Sequence, residues 1–510
     1  MPLNVKNSPI VFAAFGAAFA YYCLYPLYRS GLITANALLA LVFVPVAALC
    51  LFWALARWPL IGDANSRTFR LLRLMPARFA AFAAGLALGA GMGAQAAKIA
   101  SFGIPENSIR GISGTVLDDP RLISGGRAMT TLSLKMVSGA DMVKASARGE
   151  ITVFFPEENS GRLREFGRGA EIYAEGNLRK SEGGNFGGAY LFSADALHIT
   201  NPAPTLEYFR TGLRLNLTRR FTEAPYGDPA WGGLALALLL GIRDSLDTGI
   251  AAMYRDAGCS HILALSGMHL AVLVALISFL LRKPLGLRAS AITGTLIILA
   301  YCYIVGPLPS LNRAALMYLL GVCAVLGMLK KDPLLLLCMA FLIQLALTPG
   351  AGFSLSFILS YLALAGILII GEPLNGIFRG RVPSVLLLSL SASLGAFIAT
   401  AGVTAWFFGT LRPVGMIASI ILTPLTTVFM IGSMAWLVLN LIAPPLSVLL
   451  GYPLSLLYRL MEKTSFAAAK IPGITAPPWL VISLSLFAIA VILWFDHRRR
   501  LAASRLEPFP

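Results

Sequence analysis

Charged residues are scarce in this sequence. Only 13% of the 510 residues are Asp, Glu, Lys or Arg, whereas 57% are hydrophobic, and the mean hydropathy is +0.76. A soluble globular chain usually carries about 25% charged residues. The composition therefore excludes an ordinary soluble protein and predicts that most of the chain lies in a lipid bilayer.

Residues that form disulfides, bind metals or hydrolyse ATP are also few. The six cysteines include no C-x-x-C pair, and none falls between residues 104 and 200, so neither a disulfide framework nor a zinc ribbon is predicted. The sequence has no G-x-x-x-x-G-K-[ST] loop, which argues against transport driven by ATP hydrolysis in this chain. We predict no metal, no cofactor and no enzyme activity.

Residues 1–103 are predicted to form an N-terminal membrane region. Three apolar runs approach the ~20 residues that cross a hydrocarbon core, and they lie at 9–27, 33–55 and 79–98. The loop between the last two runs carries five arginines against a single Asp63, which places this loop in the cytoplasm. The third run has Gly85, Gly89 and Gly93, a spacing more typical of a helix-packing face than of a nucleotide loop.

Residues 104–200 are predicted to form a soluble domain on the outer side of the membrane. Short segments of alternating polarity are separated by Gly, Pro and charged turns, namely GISGTVLDD, MTTLSLKMV, GEITVFF, AEIYAEGNL and AYLFSADALHI. Five strands at this spacing favour a small antiparallel barrel. The domain is near neutral, with 11 Lys/Arg and 12 Asp/Glu. It shows no catalytic cluster of His, Asp and Cys, which is typical of a binding module.

The remainder of the chain is predicted to return to the membrane. Residues 201–228 form an amphipathic linker with Arg210, Arg214, Arg219 and Arg220, which suits a helix in the lipid interface or an ordinary linker helix. Residues 229–496 contain a short run at 231–241, interpreted as re-entrant or half-spanning, and nine longer runs. Clusters of Lys and Arg fall on alternate loops, so the tail at 497–510 is cytoplasmic.

Ionisable groups at membrane depth are costly and mark functional sites. Such groups concentrate between residues 241 and 313. The candidate site residues are these ionisable residues together with a serine and a glycine near His269: Arg243, Asp244, Arg255, His261, Ser266, Gly267, His269 and Arg313. If one helix carries both histidines, they lie ~12 Å apart, too far to share a metal. Ser266 and His269 share a helix face. Arg313 has no acidic residue within a turn, whereas Asp244 and Asp256 could neutralise Arg243 and Arg255.

At these residues the chain resembles the ComEC family of competence proteins. The resemblance rests on motifs spread over most of the C-terminal 300 residues: Leu-Leu-Gly241 with Arg243, Gly258-Cys-Ser260-His261, Ser266-Gly267-Met-His269, Ser310-Leu-Asn-Arg313-Ala314, Lys-Lys-Asp332-Pro333, Gly352-Phe-Ser-Leu-Ser356-Phe357 and Trp406-Phe-Phe-Gly to Pro413. It implies an OB-fold insert. The fold class is then a polytopic α-helical membrane protein with an inserted, exported five-stranded OB-like β-barrel domain.

The resemblance also implies a function. One strand of DNA passes through the bacterial inner membrane during natural transformation, and the other is degraded outside. The longest members carry a metallo-β-lactamase-like domain with an HxHxDH cluster, which this sequence does not show, so a separate nuclease is expected. A periplasmic or surface DNA-delivery protein and a cytosolic helicase-type motor ATPase are the other expected partners. The sequence does not indicate the oligomeric state.

Two other functions remain open at this stage. Ala264-Leu-Ser266-Gly267 is close to the G-x-S-G motif of intramembrane serine proteases, but those enzymes take their histidine from another helix, whereas His269 lies one turn on. A small-molecule transporter would lead us to expect inverted repeats, and the sequence shows no convincing one.

The soluble domain is expected to contact single-stranded DNA weakly. Stacking and phosphate contacts would come from exposed aromatic and basic residues, and the candidates are Phe154, Arg162, Arg164, Arg168, Tyr173 and Phe186. Its near-neutral charge argues against tight binding, because non-specific binders of single strands track the backbone with a positive groove. A structural role at the pore mouth is the alternative.

Overall fold

The chain is described from a computed structural model. The structure describes residues 8–24, 78, 80–92, 101–123, 127–139, 143–156, 165–180, 190–223, 230–328, 332–380 and 383–506. The predicted span at 33–55 and the arginine-rich loop that follows it lie outside these residues.

Two N-terminal helices pack closely through glycine. Helix α1 spans Pro9–Phe19 and continues as a π-helical turn over Ala20–Leu24, and α2 spans Ala80–Met92. A Cβ on Gly85 or Gly89 would collide with the backbone of Ala13 or Ala17. The helix-packing face predicted at these two glycines is therefore confirmed, whereas Gly93 lies outside the described residues.

The inserted β-domain, residues 101–201, contains all five predicted strands and three shorter ones. The strands are β1 (Ser101–Phe102), β2 (Ile109–Val116), β3 (Arg121–Ile123), β4 (Arg127–Gly139), β5 (Lys144–Arg148), β6 (Glu150–Pro156), β7 (Glu171–Lys180) and β8 (Tyr190–Asn201). Alternate residues of the long strands are buried, which is the pattern of strands with one face on a core. Ile112, Leu132, Val153 and Phe192 contribute to this core.

Each of the five long strands pairs with two of the others. Strand β2 pairs antiparallel with β4 and β7, and β4 pairs antiparallel with β6. Strand β8 pairs antiparallel with β7 and, over three positions, parallel with β6. The pairings therefore run β2–β4–β6–β8–β7 and return to β2, with β1, β3 and β5 at the margins.

Helix α3, Thr205–Thr222, joins the β-domain to the membrane part. Its end is buried, because the Phe221 ring packs on Trp231 and Trp436 with centroid distances of 6.1 and 4.9 Å. Arg220 donates to the Asn440 side chain at 2.8 Å. Arg210 and Arg214 also bind protein groups. The sequence pattern left open whether this segment is a helix in the lipid interface or an ordinary linker helix, and the placement of α3 in the lipid interface stays a prediction.

Helix α4, Ala230–Leu240, is apolar on every side, and all residues from Trp231 to Leu240 are buried. A helix that is hydrophobic all round belongs inside a protein, and the surrounding helices cover it. Its 11 residues extend only about 17 Å, which is too short to cross a bilayer and agrees with the half-spanning segment predicted from the sequence.

Two short helices precede the first long one. Helix α5 spans Thr248–Asp256 and α6 spans Ser260–Leu263. Helix α7, Gly267–Val305, is interrupted at Gly286, whose φ of 75° and ψ of 176° are not helical. A Cβ on Gly294 would lie 3.4 Å from the side chain of Ile277, so the chain folds back at this turn and its two halves pack together. These halves match two of the predicted runs.

The remaining helices follow the other predicted runs. They are α8 (Pro309–Leu326), α9 (Pro333–Leu347), α10 (Leu355–Gly366), α11 (Glu372–Phe378), α12 (Ser384–Phe408), α13 (Val414–Ile442), α14 (Pro444–Ala469) and α15 (Pro478–Leu506). A π-helical turn, Ile367–Gly371, makes α10 and α11 continuous. Six helical stretches in the described part of the chain are long and apolar enough to cross a membrane, with α10 and α11 counted together. The protein is thus a multi-pass membrane protein with a separate sheet domain.

Candidate functional site

Three non-helical residues, 264–266, interrupt the span predicted at 259–281. Helix α6 ends at Leu263, Ala264 is extended, and Ser266 is the N-cap of α7 with φ −127° and ψ 173°. The ~12 Å predicted between His261 and His269 assumes one continuous helix, and that premise is wrong because α6 ends between them. Ser266 and His269, predicted to share a face, do lie together.

A capping box joins Ser266 and His269. The Ser266 backbone N–H donates to Nδ1 of His269 at 3.0 Å, and the Ser266 Oγ lies 3.0 Å from the same nitrogen. Because Nδ1 accepts the backbone hydrogen bond, the ring is the tautomer protonated on Nε2. His269 is only 2% exposed, and Nε2 has no hydrogen-bond partner among the described residues. The Nε2 N–H of His269 is therefore a buried donor to which no described residue bonds.

The geometry of this contact differs from that of a catalytic serine and its base. A catalytic serine needs a base that a third group orients through its other nitrogen. In the described part of the chain nothing bonds to His269 Nε2, and the Nδ1 contact is accounted for by helix capping. The Ser–His contact thus favours a structural start of α7 over the nucleophile of a protease.

Arg313 enters the site from the second turn of α8. It is 8% exposed, and its Nη1 donates to the Ser360 carbonyl at 2.9 Å. Its Nη2 lies 3.1 Å from the position that a Cβ on Gly267 would occupy. No described carboxylate forms an ion pair with Arg313, and its Nε has no described partner. We name Ser266, Gly267, His269 and Arg313, which the structure brings together, the candidate site.

A series of buried polar contacts connects Arg313 to the start of α8. The guanidinium lies over the Tyr361 ring, 5.8 Å from its centroid. The Tyr361 hydroxyl donates to Gln344 Oε1 at 2.8 Å, and Gln344 Nε2 donates to the Pro309 carbonyl at 3.1 Å. Sequence reasoning missed Gln344 and Tyr361, although a glutamine inside an apolar run is a recognisable signal.

The extended segment before Ser266 is held from two sides. Ser310 Oγ, at the start of α8, donates to the Leu265 carbonyl at 2.6 Å. From the loop after α4, Arg243 Nη2 donates to the Leu263 carbonyl at 3.3 Å. Arg243 and its neighbour Asp244 are exposed, so Arg243 borders the candidate site rather than lying inside it.

His261 and Arg255 belong to a different neighbourhood. His261 Nε2 lies 3.4 Å from Ser419 Oγ on α13. Arg255 is exposed at the end of α5. Asp256 does not neutralise it, because its Oδ1 accepts from Arg412 Nη2 at 3.1 Å. The predicted Arg255–Asp256 alternative is therefore wrong, and the partner comes from a position 156 residues away.

Arg412 is the cation that sequence reasoning overlooked. It also donates to the Asp256 carbonyl at 2.8 Å and to the Ile471 carbonyl at 3.4 Å. It therefore ties the end of α5 to the turns before α13 and α15. Its only sequence signal was the Trp406 to Pro413 stretch.

The predicted DNA contacts of the β-domain are only partly described. Arg162, Arg164 and Phe186 lie outside the described residues. Phe154 on β6 pairs with Ser193, and Tyr173 on β7 pairs with His198, on opposite sides of β8. The two aromatic positions are therefore offset by about 17 Å along β8, with that strand between them. Arg168 is exposed. The structure thus does not bring Phe154 and Tyr173 into one patch.

Within the described residues no group of three or more His, Cys, Asp or Glu side chains could hold a metal ion. The chemistry that the candidate site offers is cationic and donor-rich instead. A guanidinium, an imidazole N–H and a hydroxyl converge at the beginnings of α7 and α8. Such groups suit an anionic oxygen ligand.

Comparisons with known proteins show the family of the chain. The sequence is 26% identical over 332 residues to an uncharacterized protein of Aquifex aeolicus (strain VF5), covering 65% of this chain and 75% of that protein. It is 27% identical over 169 residues to ComE operon protein 3 of Bacillus subtilis (strain 168), covering 32% of this chain and 21% of that protein. The profile described as Competence protein matches residues 238–498, which is more than half of the 510 residues and includes the candidate site. The chain therefore belongs to the Competence protein family.

Proposed function

We propose that this protein carries single-stranded DNA across the bacterial inner membrane during natural transformation. Membership of the Competence protein family suggests a role in DNA uptake. Transport of single-stranded DNA is supported by the buried Arg313, a cation that no described carboxylate neutralises. An isolated buried charge is costly, and a backbone phosphate of a passing strand would compensate it.

The local geometry suits a moving polyanion. Arg313 already donates Nη1 to a carbonyl, and Nη2 faces Gly267, where the absence of a side chain leaves room beside the guanidinium. His269 adds a neutral donor through Nε2. Neutral donors hold a phosphate less firmly than a second cation does, which favours passage over capture.

The position of the site favours the outer side of the membrane. The β-domain contacts the far end of α7, because Arg214 binds both Asp119 and the carbonyls of Ile304 and Val305. The basic turn at Arg282, Lys283 and Arg288 lies at the opposite end of that half of α7. The half from 287 to 305 extends about 28 Å, close to the hydrocarbon thickness. With the basic turn cytoplasmic, the β-domain and the candidate site both lie outside and the tail inside.

We further infer that the β-domain is an OB-type barrel. The circuit of pairings through five strands and the parallel contact of β6 with β8 support this assignment. Its role would be to receive the strand weakly at the mouth of the membrane part. A separate nuclease, a delivery protein outside and a motor ATPase inside complete the proposed pathway.

A strain that lacks the protein provides the test. It is complemented with the wild type, with Arg313→Ala or with His269→Ala, and uptake of labelled DNA into the cytoplasm is scored separately from DNA bound at the surface. Both variants should lose import while the protein level and surface binding stay near normal. Arg219→Ala is the matched control, because Arg219 is 75% exposed and pairs with Glu223. Wild-type import by the Arg313→Ala, His269→Ala double variant would refute the proposal.

A further inference from the structure

A buried arginine joins the β-domain to the linker helix. Arg210 on α3 is 2% exposed and donates Nε to Glu207 at 2.6 Å. Its Nη2 pairs with Asp119, in the loop after β2. The guanidinium also lies 5.9 Å from the centroid of the Tyr303 ring on α7. One side chain thus contacts the β-domain, α3 and the membrane helix α7. We name Asp119, Glu207, Arg210 and Arg214 the Arg210 cluster.

The Arg210 cluster also caps the end of α7. Arg214 Nη1 donates to the carbonyls of Ile304 and Val305 at 2.8 and 2.5 Å, and its Nε lies 3.7 Å from Asp119 Oδ2. The last carbonyls of a helix lack intrahelical partners, and a cation there is favoured by the helix dipole. A Cβ on Gly306, where φ is 96°, would lie 3.3 Å from Arg210 Nη1.

The turn that receives these arginines leads directly to the candidate site. Leu308 follows Gly306 by two residues and lies against the loop after α4, 3.2 Å from a Cβ on Gly241. Ser310 then bonds to Leu265, the residue before Ser266, and Arg313 follows three residues later. Side-chain contacts and the short turn between α7 and α8 therefore connect Asp119 in the β-domain to the candidate site.

The charges of the cluster depend on one another. Burial alone would lower the pKa of Arg210, but Asp119 and Glu207 raise it overall, so the guanidinium stays charged. Removing Asp119 leaves the buried guanidinium with Glu207 as its remaining carboxylate partner, and removing one partner from a buried ion pair costs more than the pair contributes. Loss of the Asp119 carboxylate should therefore release the β-domain rather than leave it in place.

We propose that Asp119 and Arg210 dock the β-domain on the turn between α7 and α8, and that they act as positioning residues for the candidate site. The second part rests on the proposed function. The first part concerns the arrangement of the chain alone and is measured without DNA.

Docking is tested with the full chain in lipid nanodiscs. Spin labels are placed at Met136 in the β-domain and at Leu285 in the turn of α7, which are 44% and 46% exposed, in a background whose six cysteines are replaced by serine. The distance distribution between the labels should be narrow in this background and broad with Asp119→Asn or Arg210→Met. Arg210→Lys, which keeps the charge, should retain a mainly narrow distribution. Glu223→Gln breaks an exposed pair and is the control that should change nothing. A distribution that stays narrow in both Asp119→Asn and Arg210→Met overturns the docking proposal.

Positioning is tested by DNA import in the same variants. Couplings between sites typically correspond to about 5- to 150-fold effects, so Asp119→Asn should lower import at least ~5-fold at unchanged protein level, and Arg210→Lys should restore part of it relative to Arg210→Met. Broad distributions with undiminished import would overturn the positioning role and leave docking established. If the wild type imports no DNA, the proposed function fails, and the distance measurement still decides docking.

Discussion

The guanidinium of Arg313 lies directly against Gly267, with Nη2 3.1 Å from the place of a Cβ on that glycine. Gly267→Ala should therefore displace the Arg313 guanidinium, so that it no longer reaches a passing phosphate. A hydrogen bond to a charged group contributes about 1.5–3 kcal/mol, so DNA import should fall roughly tenfold or more. Gly321→Ala on α8 is the matched control, because nothing lies within 4 Å of its Cβ position. Equal import by the two variants would mean that Arg313 does not contact DNA from its observed position.

Arg412 should contribute more to stability than the carboxylate with which it pairs. The Arg412 and Asp256 side chains are 24% and 45% exposed, and a pair this accessible contributes at most about 1 kcal/mol. Arg412 also donates to two backbone carbonyls. Thermal unfolding in detergent should therefore show a small decrease for Asp256→Asn and a larger one for Arg412→Ala. A larger decrease for Asp256→Asn would contradict this assignment.

The proposed orientation is tested by reporter fusions. A phosphatase fused after Ile199, in the β-domain, should be active because the enzyme folds only outside the cytoplasm. The same phosphatase fused after Arg505, beyond the last apolar stretch of α15, should be inactive. The opposite pair of results would reverse the whole orientation and move the candidate site to the inner side.

Close packing of α1 on α2 predicts different effects for neighbouring glycines. Gly85→Leu or Gly89→Leu should force the helices apart, because their Cβ positions meet the backbone of α1. Overpacking of this kind typically costs about 1–3 kcal/mol. Nothing lies within 4 Å of the Cβ position at Gly91, so Gly91→Leu serves as the control. The measurement is the amount of protein in membranes together with the unfolding midpoint. A similar loss with Gly91→Leu would point to a lipid or partner contact instead.

The β-domain should bind single-stranded DNA weakly and with little dependence on salt. Its near-neutral charge allows few phosphate contacts, and each contact contributes about 0.7 to the slope of log affinity against log salt. Titration of the Arg313→Ala chain with a labelled oligonucleotide should give a slope near −1, for one or two contacts, which becomes less negative with Arg168→Ala and is retained with Arg219→Ala. Absence of binding at low salt in a variant with Arg313→Ala would support a structural role for the domain.

Several features follow from the sequence by itself. Residue order fixes hydrophobic periodicity, so the five long strands, the apolar helices and the packing role of Gly85 and Gly89 could be predicted from local pattern. The cluster of polar groups between residues 241 and 313 was also visible, because ionisable residues are rare in apolar segments. Ser266 and His269 could be paired because they are three positions apart, which places them on one face of a helix.

Other relationships were decided only by the tertiary structure. Asp256 has Arg255 beside it in sequence yet pairs with Arg412, and Asp119 meets Arg210 across 91 positions. Ion pairing depends on distance in space, and no local sequence pattern shows which distant cation the fold places beside a given carboxylate. The break at Ala264–Ser266 likewise interrupts a run that looks continuous in sequence, since contacts from Ser310 and Arg243 hold the extended backbone in place of helical hydrogen bonds.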